Sequence, residues 1–355
     1  MKKTKMIGVL CMMLVMWLGC TKDASAAANV DTACIFDEKI IELPSALGAV
    51  SDMQIAKGRI CLRSEDGKML YAGTLDGSKV KKVFSDKDSV KDYFRVFTLD
   101  QKGNLYLLKH KSDEKKGIIE EYVEKRDKTG KLVATIKLGR KYEEKRSIDF
   151  DAYGILVDKN NKIYVFSRHG IHVYDSRGSE YKGEGVEVFL NPFNRAFFSK
   201  DGKIIILFQS FEELIGTTYR VYNPQKGTVS KSRKMAVGEM AGQSMSYDRG
   251  FDFYTNTKTS LYGYSHKSGE KTELINWIDS GIDEWIYPGL IARVSDETLI
   301  AITYQYNEKE GKDCSKLCIF SRRDAGEIKK KKVITMVANS NQFELVKNIM
   351  DFNRT

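Results

Sequence analysis

Leu99-Asp-Gln-Lys-Gly-Asn-Leu-Tyr-Leu107 and Val157-Asp-Lys-Asn-Asn-Lys-Ile-Tyr-Val165 are two copies of one pattern. In each, a strand ends in a polar turn and an aromatic-bearing strand returns from it. Gly or Asn in the turn supplies the positive φ that a tight hairpin needs. Phe198-Ser-Lys-Asp-Gly-Lys-Ile-Ile-Ile206 repeats the form, and Ile55-Ala-Lys-Gly-Arg-Ile-Cys-Leu62 is a shorter version. The flanking residues carry the β-branched and aromatic bias of strands. A second hairpin follows each first one, marked by a Tyr-rich strand running into another polar turn. Tyr71 to Gly77, His172 to Gly178, Tyr219 to Gly227, Tyr262 to Gly269 and Leu317 to Gly326 form this second set.

Two hairpins make four strands, and the four-stranded units fall near 40–85, 90–140, 146–188, 193–237, 245–280 and 286–328. Four strands repeating every 40–50 residues are the mark of a β-propeller. The fold class expected is therefore all-β, a propeller over 40–328 with six blades, or seven if one blade has diverged. Each blade would bury both faces against its neighbours, so the tyrosines are expected to serve packing before ligand stacking.

The flanks read differently. Lys2, Lys3 and Lys5 precede an apolar run from Met6 to Leu18, which is too short to span a bilayer comfortably and has the form of an export signal. Leu18-Gly19-Cys20 resembles the lipobox of bacterial lipoproteins, which implies lipidation at Cys20 and a membrane anchor. The alternative is secretion after cleavage at Ala26, since Ala24-Ser-Ala26 has the small residues that signal cleavage requires. The segment 1–26 is thus assigned to processing and 27–39 to a linker. At the other end, Lys329 to Lys332 form a basic linker. Val333 to Ala338 is apolar without alternation, like a strand buried on both faces. Asn341 and Glu344 suit a helix start, and Phe343, Val346, Ile349 and Met350 share one helical face. Residues 333–355 are expected to be the incomplete start of an α/β domain, a βα fragment without its parallel partner.

The net charge of +10 is concentrated at the flanks: three lysines precede the apolar run and four form the basic linker, leaving +3 for the rest. A small, dispersed excess makes no phosphate-binding groove, so no nucleic-acid partner is expected. Outside the signal lie Cys34, Cys61, Cys314 and Cys318, with no CxxC pair, and they are read as buried free thiols. His169 and His172 are three apart and would face opposite sides of a strand, which opposes a shared metal. Asp149, Asp151, Asp158, Asn160 and Asn161 lack the spacing of an EF-hand and are read as turn formers. The adjacent acids Glu120/Glu121, Glu143/Glu144 and Glu212/Glu213 are read as solvated surface. Neither a nucleophile elbow, a P-loop nor an HExxH motif occurs, so no catalytic residue, metal or cofactor is expected.

Phe251-Asp-Phe-Tyr254, Leu261-Tyr-Gly-Tyr-Ser265 and Leu274-Ile-Asn-Trp-Ile-Asp-Ser-Gly-Ile-Asp283 resemble the late blades of exported solute-binding lipoproteins of Firmicutes. In that family an N-terminal propeller precedes an extracellular solute-binding domain of family 1, which serves ABC importers. Val333 to Asn353 looks like the first strand and helix of such a domain. The resemblance implies a non-catalytic propeller anchored to the outer face of the cytoplasmic membrane. It also implies that this chain alone does not bind transport solute, and that it meets an ABC permease only in a full-length form. A standalone propeller binding a surface protein or glycan is the alternative, and a polysaccharide hydrolase or lyase a third.

Overall fold

A computed structural model describes residues 34–86, 92–113, 115–143, 152–181, 185–187, 195–208, 218–235, 240–242, 250–257, 259–282, 290–308, 311–324, 326 and 348–349. Strand β1 (Phe36–Glu42) comes first and belongs to the last blade. Blade 1 follows with β2 (Val50–Ala56), β3 (Arg59–Ser64), β4 (Met69–Thr74) and β5 (Lys81–Ser85). Blade 2 has β6 (Asp92–Leu99), β7 (Leu105–Asp113), β8 (Ile118–Arg126) and β9 (Leu132–Glu143). Blade 3 has β10 (Ala152–Val157), β11 (Ile163–Ser167), β12 (Gly170–Tyr174) and β13 (Val186–Glu187). Blade 4 has β14 (Arg195–Phe198), β15 (Ile204–Phe208), β16 (Thr218–Asn223) and β17 (Thr228–Val229), with β18 (Arg233–Lys234) also on β16. Blade 5 has β19 (Met240–Gly242), β20 (Phe253–Asn256), β21 (Ser260–Tyr264) and β22 (Lys271–Asn276). Asn276 then caps the single-turn helix α1 (Trp277–Ser280) by accepting from the Asp279 N–H. Blade 6 is β23 (Ile291–Ser295), β24 (Thr298–Asn307) and β25 (Lys312–Arg322), completed by β1 at its edge. Six four-stranded blades make a β-propeller.

The closing strand corrects the expected boundaries. The unit placed at 286–328 supplies only three strands, and Leu317 to Gly326 does not turn into a fourth. Phe36–Glu42 pairs antiparallel with β25, from Phe36 opposite Arg322 to Glu42 opposite Lys316. The linker assigned to 27–39 therefore gives way to strand at Phe36, and the first blade begins at Val50 rather than near 40. A blade shared between the two flanks of the propeller closes the ring with backbone hydrogen bonds, leaving no seam.

Alternation along the strands sends successive side chains to the two neighbouring blades. In β11, Ile163 and Val165 pack toward blade 2 with Val123 and Ile136, while Tyr164 and Phe166 pack toward blade 4 with Phe198 and Tyr222. Phe97 and Leu107 meet Cys61 and Ala72 between blades 1 and 2, and Phe253 meets Tyr219 and Leu207 between blades 4 and 5. Trp277 meets Phe36 and Phe320 between blades 5 and 6, and Met53 meets Ile302 and Leu317 between 6 and 1. Six inter-blade cores thus close a ring. Tyr106, Tyr164, Tyr174, Tyr219, Tyr222 and Tyr254 are fully buried in it, as packing demands.

Antiparallel connections alternate between the two ends of the ring. With the four strands of each blade lettered A to D from the axis outward, so that β1 is strand D of blade 6, the A–B and C–D turns define one end, here the turn end. The B–C connections and the links between blades define the other, the loop end. At the turn end one motif recurs. Asp100, Asp127, Asp158 and Asp175 each accept, through Oδ1, the N–H groups two and four residues on. The fourth residue of each turn has positive φ, and Asn161 fills at +61° the place that glycine fills elsewhere. At two turns glycine is also required by space. A Cβ on Gly130 would lie 1.9 Å from the Val83 carbonyl oxygen of blade 1, and one on Gly178 would lie 2.0 Å from the Lys137 carbonyl oxygen of blade 2. The C–D turn of one blade presses on the outer strand of the blade before it.

Candidate functional site

Chemistry-bearing side chains gather in four places: the central channel and three inter-blade interfaces. In the channel, Asp52 on β2 is half-buried. Burial raises its carboxyl above the ordinary carboxylate range, opposed by Arg195 from blade 4 and by Arg63. Charges of opposite sign therefore approach the axis from opposite blades.

Between blades 2 and 3, Glu121 is fully buried. The alternation Ile119-Glu120-Glu121-Tyr122-Val123 puts it on the same strand face as two buried aliphatics, so it cannot be the solvated surface expected for this acid pair. Its Oε1 lies 3.2 Å from His110 Nε2 and accepts from the Ala152 N–H at 3.3 Å, across the interface. Its Oε2 lies 3.0 Å from Arg140 Nε. A bulge delivers Arg140: the β8–β9 register breaks between Glu120 and Tyr122, where Gly139 adopts φ +71°. Nearby, burial raises the Tyr174 hydroxyl above its usual range, and Arg140 opposes the shift. The hydroxyls of Tyr153, Ser167 and Tyr174 are buried without a hydrogen-bond partner among the described residues.

Between blades 4 and 5, His266 sits in a C–D turn. Its Nδ1 lies 2.7 Å from Asp252 Oδ2, which also accepts the His266 N–H, while Asp252 Oδ1 accepts the Lys200 N–H of blade 4. His266 Nε2 lies 3.7 Å from Asp201 Oδ1. Burial acts to raise both carboxyls, yet both end below the ordinary range. The His266 ring and the two N–H groups hold Asp252 down, and Lys203 with Ser199 hold Asp201 at about 2. Between blades 1 and 2, Lys109 Nζ lies 3.2 Å from Asp86 and 3.8 Å from Glu124, whose other oxygen meets Arg126 at 2.6 Å. Arg126 also stacks over Phe84, 4.7 Å from its centroid.

At all three interfaces the ionisable groups hold each other across or beside a blade boundary. Glu121 is fully buried with His110 and Arg140 at ion-pair distance from its two oxygens, and the His266 ring has a carboxylate on each side. Such groups clamp neighbouring blades, since breaking one partner would strand a buried charge. These clusters were not legible as motifs, because their members come from different strands.

The sequence-assigned positions fall as follows. Cys20, Ala26, Asp149, Asp151, Glu144, Glu212 and Glu213 lie outside the described residues, as does the tail 333–355 apart from Asn348 and Ile349, which are helical. Asp158 is a turn former, its two oxygens engaged by turn N–H groups and by the Tyr164 hydroxyl. His172 points to Glu180 at 3.0 Å, and His169 stands in an exposed turn. None of Cys34, Cys61, Cys314 and Cys318 forms a disulfide among the described residues; Cys34, Cys61 and Cys318 are buried as expected, Cys314 is only half-buried, and burial pushes Cys61 up to about 11. Among the described residues no group of three or more His, Cys, Asp or Glu is arranged to hold a metal ion, and no helix is long and apolar enough to cross a membrane.

No protein-family model matches the sequence, and no curated protein matches it significantly. Among solved structures, the chain is similar to a protein of unknown function from Dyadobacter fermentans, with TM-score 0.51 and 10% identity over 81% of this chain and 98% of that one. It is also similar to a gluconolactonase from Xanthomonas campestris, with TM-score 0.49 and 12% identity over 82% and 91% of the two chains. An α-L-arabinofuranosidase from Fusarium graminearum gives TM-score 0.44 and 10% identity over 81% and 97%. At such identities the likeness is one of fold, and the named activities remain those proteins' own. By fold the chain is a six-bladed β-propeller.

Proposed function

We propose that this chain is the non-catalytic propeller of an exported solute-receptor lipoprotein related to ABC import, anchored through Cys20 to the outer face of the cytoplasmic membrane. The observation that carries the proposal is where the propeller's two flanks emerge. Phe36 and Arg322 are ladder partners, and the Arg323 N–H donates to the Ile35 carbonyl. The chain thus enters and leaves the ring at one corner. Such a module can hang between an N-terminal anchor and a C-terminal domain without either connection crossing the ring. Fifteen residues lie between Cys20 and Phe36, a tether of at most about 55 Å.

The ionisable clusters support a binding rather than a catalytic role, since their charged groups are paired with one another at the blade boundaries. Transport solute would be bound by the α/β domain whose opening 333–355 resembles, with the propeller contributing contacts to a surface protein or glycan. The test compares the chain with Cys20→Ser in an exporting bacterial host. The proposal expects the unchanged chain in the membrane fraction, carrying labelled fatty acid, and the variant released. Unlabelled protein secreted in both cases, starting after Ala26, would overturn the anchor. Turnover of polysaccharide by the purified chain would overturn the non-catalytic role.

A further inference from the structure

We infer that the turn end of the propeller is a cationic face that docks on an anionic phospholipid bilayer. The four described A–B turns of blades 1 to 4 each place an exposed lysine at their tip: Lys57, Lys102, Lys159 and Lys200. The C–D turns of blades 2 and 5 add exposed Lys128 and Lys267. In sequence these lysines are scattered over more than 200 positions and look like dispersed charge. The alternation of the blades brings them to one end, and close contacts join the turns there. A Cβ on Gly103 would lie 3.8 Å from the Lys128 side chain and 3.9 Å from the Ala56 carbonyl, and the Lys200 N–H bonds Asp252 beside His266.

Three acids of the same turns are held beneath these lysines, while Asp201 stands exposed beside Lys200 and pairs with Lys203, and Glu270 stands exposed in the turn of Lys267. Asp100, Asp127 and Asp158 fold back, each accepting two N–H groups of its own turn. In those three turns the carboxylate lies in an inner layer and the ammonium group in an outer one. Other acids are exposed at this end too: Asp76 and Glu180 in C–D connections, and Asp296 and Glu297 in the A–B turn of blade 6, where they pair with Arg293 and Arg322. Flexible lysine stems spread over the tips of several turns suit a diffuse array of headgroup phosphates better than one bound anion.

The placement of the tether selects a bilayer as the partner. Because β1 is the outermost strand of blade 6 and pairs with the end of β25, Phe36 lies at the turn end. The Arg322 N–H there donates to the Glu297 carbonyl in that blade's A–B turn. A chain anchored upstream of Phe36 hangs with its lysine face toward the membrane. This orientation rests on the proposed anchoring, but the charge of the face does not.

The test removes the anchor so that the two can fail separately. All six inter-blade cores lie within 36–320, so the chain from Thr21 to Thr355 keeps every one. That chain, without Cys20, is sedimented with vesicles of phosphatidylcholine alone or mixed with phosphatidylglycerol. The expected result is binding to the mixed vesicles only, abolished at about 0.5 M salt. Replacing Lys102, Lys159 and Lys200 together by Glu should weaken it by at least roughly tenfold, with an unchanged melting temperature as the folding control. The same reversal at Lys68, Lys111 and Lys116, at the loop end, should leave binding within about twofold, because those groups face away from the bilayer. Absent binding, equal loss in both triple variants, or binding to soluble polyphosphate but not to vesicles would each overturn the inference. Fatty-acid labelling at Cys20 decides the anchor independently of all these outcomes.

Discussion

The two ends of the ring are built by different means. At the turn end, one short motif recurs from blade to blade, with an acid or hydroxyl that accepts N–H groups and a residue of positive φ. At the loop end, the long strands β7 and β8 and the long hairpin of β24 and β25 run past their neighbours. There buried charges such as Glu121 and Arg140 are placed by bulges and by partners from separate strands. The turn end takes its geometry from local chemistry, whereas the loop end takes its geometry from contacts between distant residues. A change at the turn end should therefore be costly according to its immediate surroundings, and one at the loop end according to the partner left behind.

The largest effect tests the first half of that contrast. Gly130, Gly178 and Gly202 all have positive φ, at 90°, 93° and 78°. Only the first two face a carbonyl oxygen of the preceding blade, while a Cβ on Gly202 meets nothing within 4 Å. Gly178→Ala or Gly130→Ala should cost more than about 4 kcal/mol, because the clash is with backbone and adds to the left-handed penalty. Gly202→Ala should cost about 1 kcal/mol, the conformational penalty alone. Denaturant melts of the three variants measure this directly, and equal costs would break the distinction.

Next in size is the buried cluster of the loop end. Glu121→Gln should destabilise by about 3 kcal/mol, since Arg140 would keep its charge in a buried site without its carboxylate. Pairing it with Arg140→Met should recover much of the loss, and a double-mutant cycle reports the coupling. Additive single and double effects would show that the two groups act separately.

Smaller again is the turn acid. Asp158→Ala removes the acceptor of two turn N–H groups and of the Tyr164 hydroxyl, and should cost about 1–2 kcal/mol. Asp158→Asn, which keeps one acceptor oxygen, should cost less.

The smallest expected effect is on pH. Asp201 titrates at about 2 in the folded chain against an ordinary 3.8. A carboxyl with a depressed folded value contributes stability that is present above the unfolded value and lost as pH falls through the folded one. Melting temperature should therefore fall between about pH 4 and pH 2, and Asp201→Asn should flatten that fall. The effect is modest because Asp201 is partly exposed and its ion pairs are screened.

The same contrast explains what the sequence could disclose. Blade number and turn positions were readable because Leu99 to Leu107 and Val157 to Val165 carry their turn chemistry within nine residues. The tyrosines were readable as packing because alternation alone assigns them to faces. The closing strand was not, since Phe36–Glu42 finds its partner β25 about 280 residues away and was divided between a linker and the first blade. Glu121 was misread as surface because an adjacent acid pair looks solvated. The available signal was its position between Ile119 and Val123, both buried on the same strand face. The cluster of His266, Asp252 and Asp201 joins two turns through groups up to 65 positions apart, and no local pattern announces it.

The central claim is that the chain's own N-terminal strand closes the ring and fixes the tether at the turn end of blade 6. Amide hydrogen exchange of 36–42, measured on the intact chain, tests it most directly. The ladder with β25 predicts slow exchange at the amides bonded to it, within about tenfold of those in 316–322. Exchange across 36–42 at the rate of unstructured chain, beside a protected β25, would contradict the closure and with it the placement of the tether.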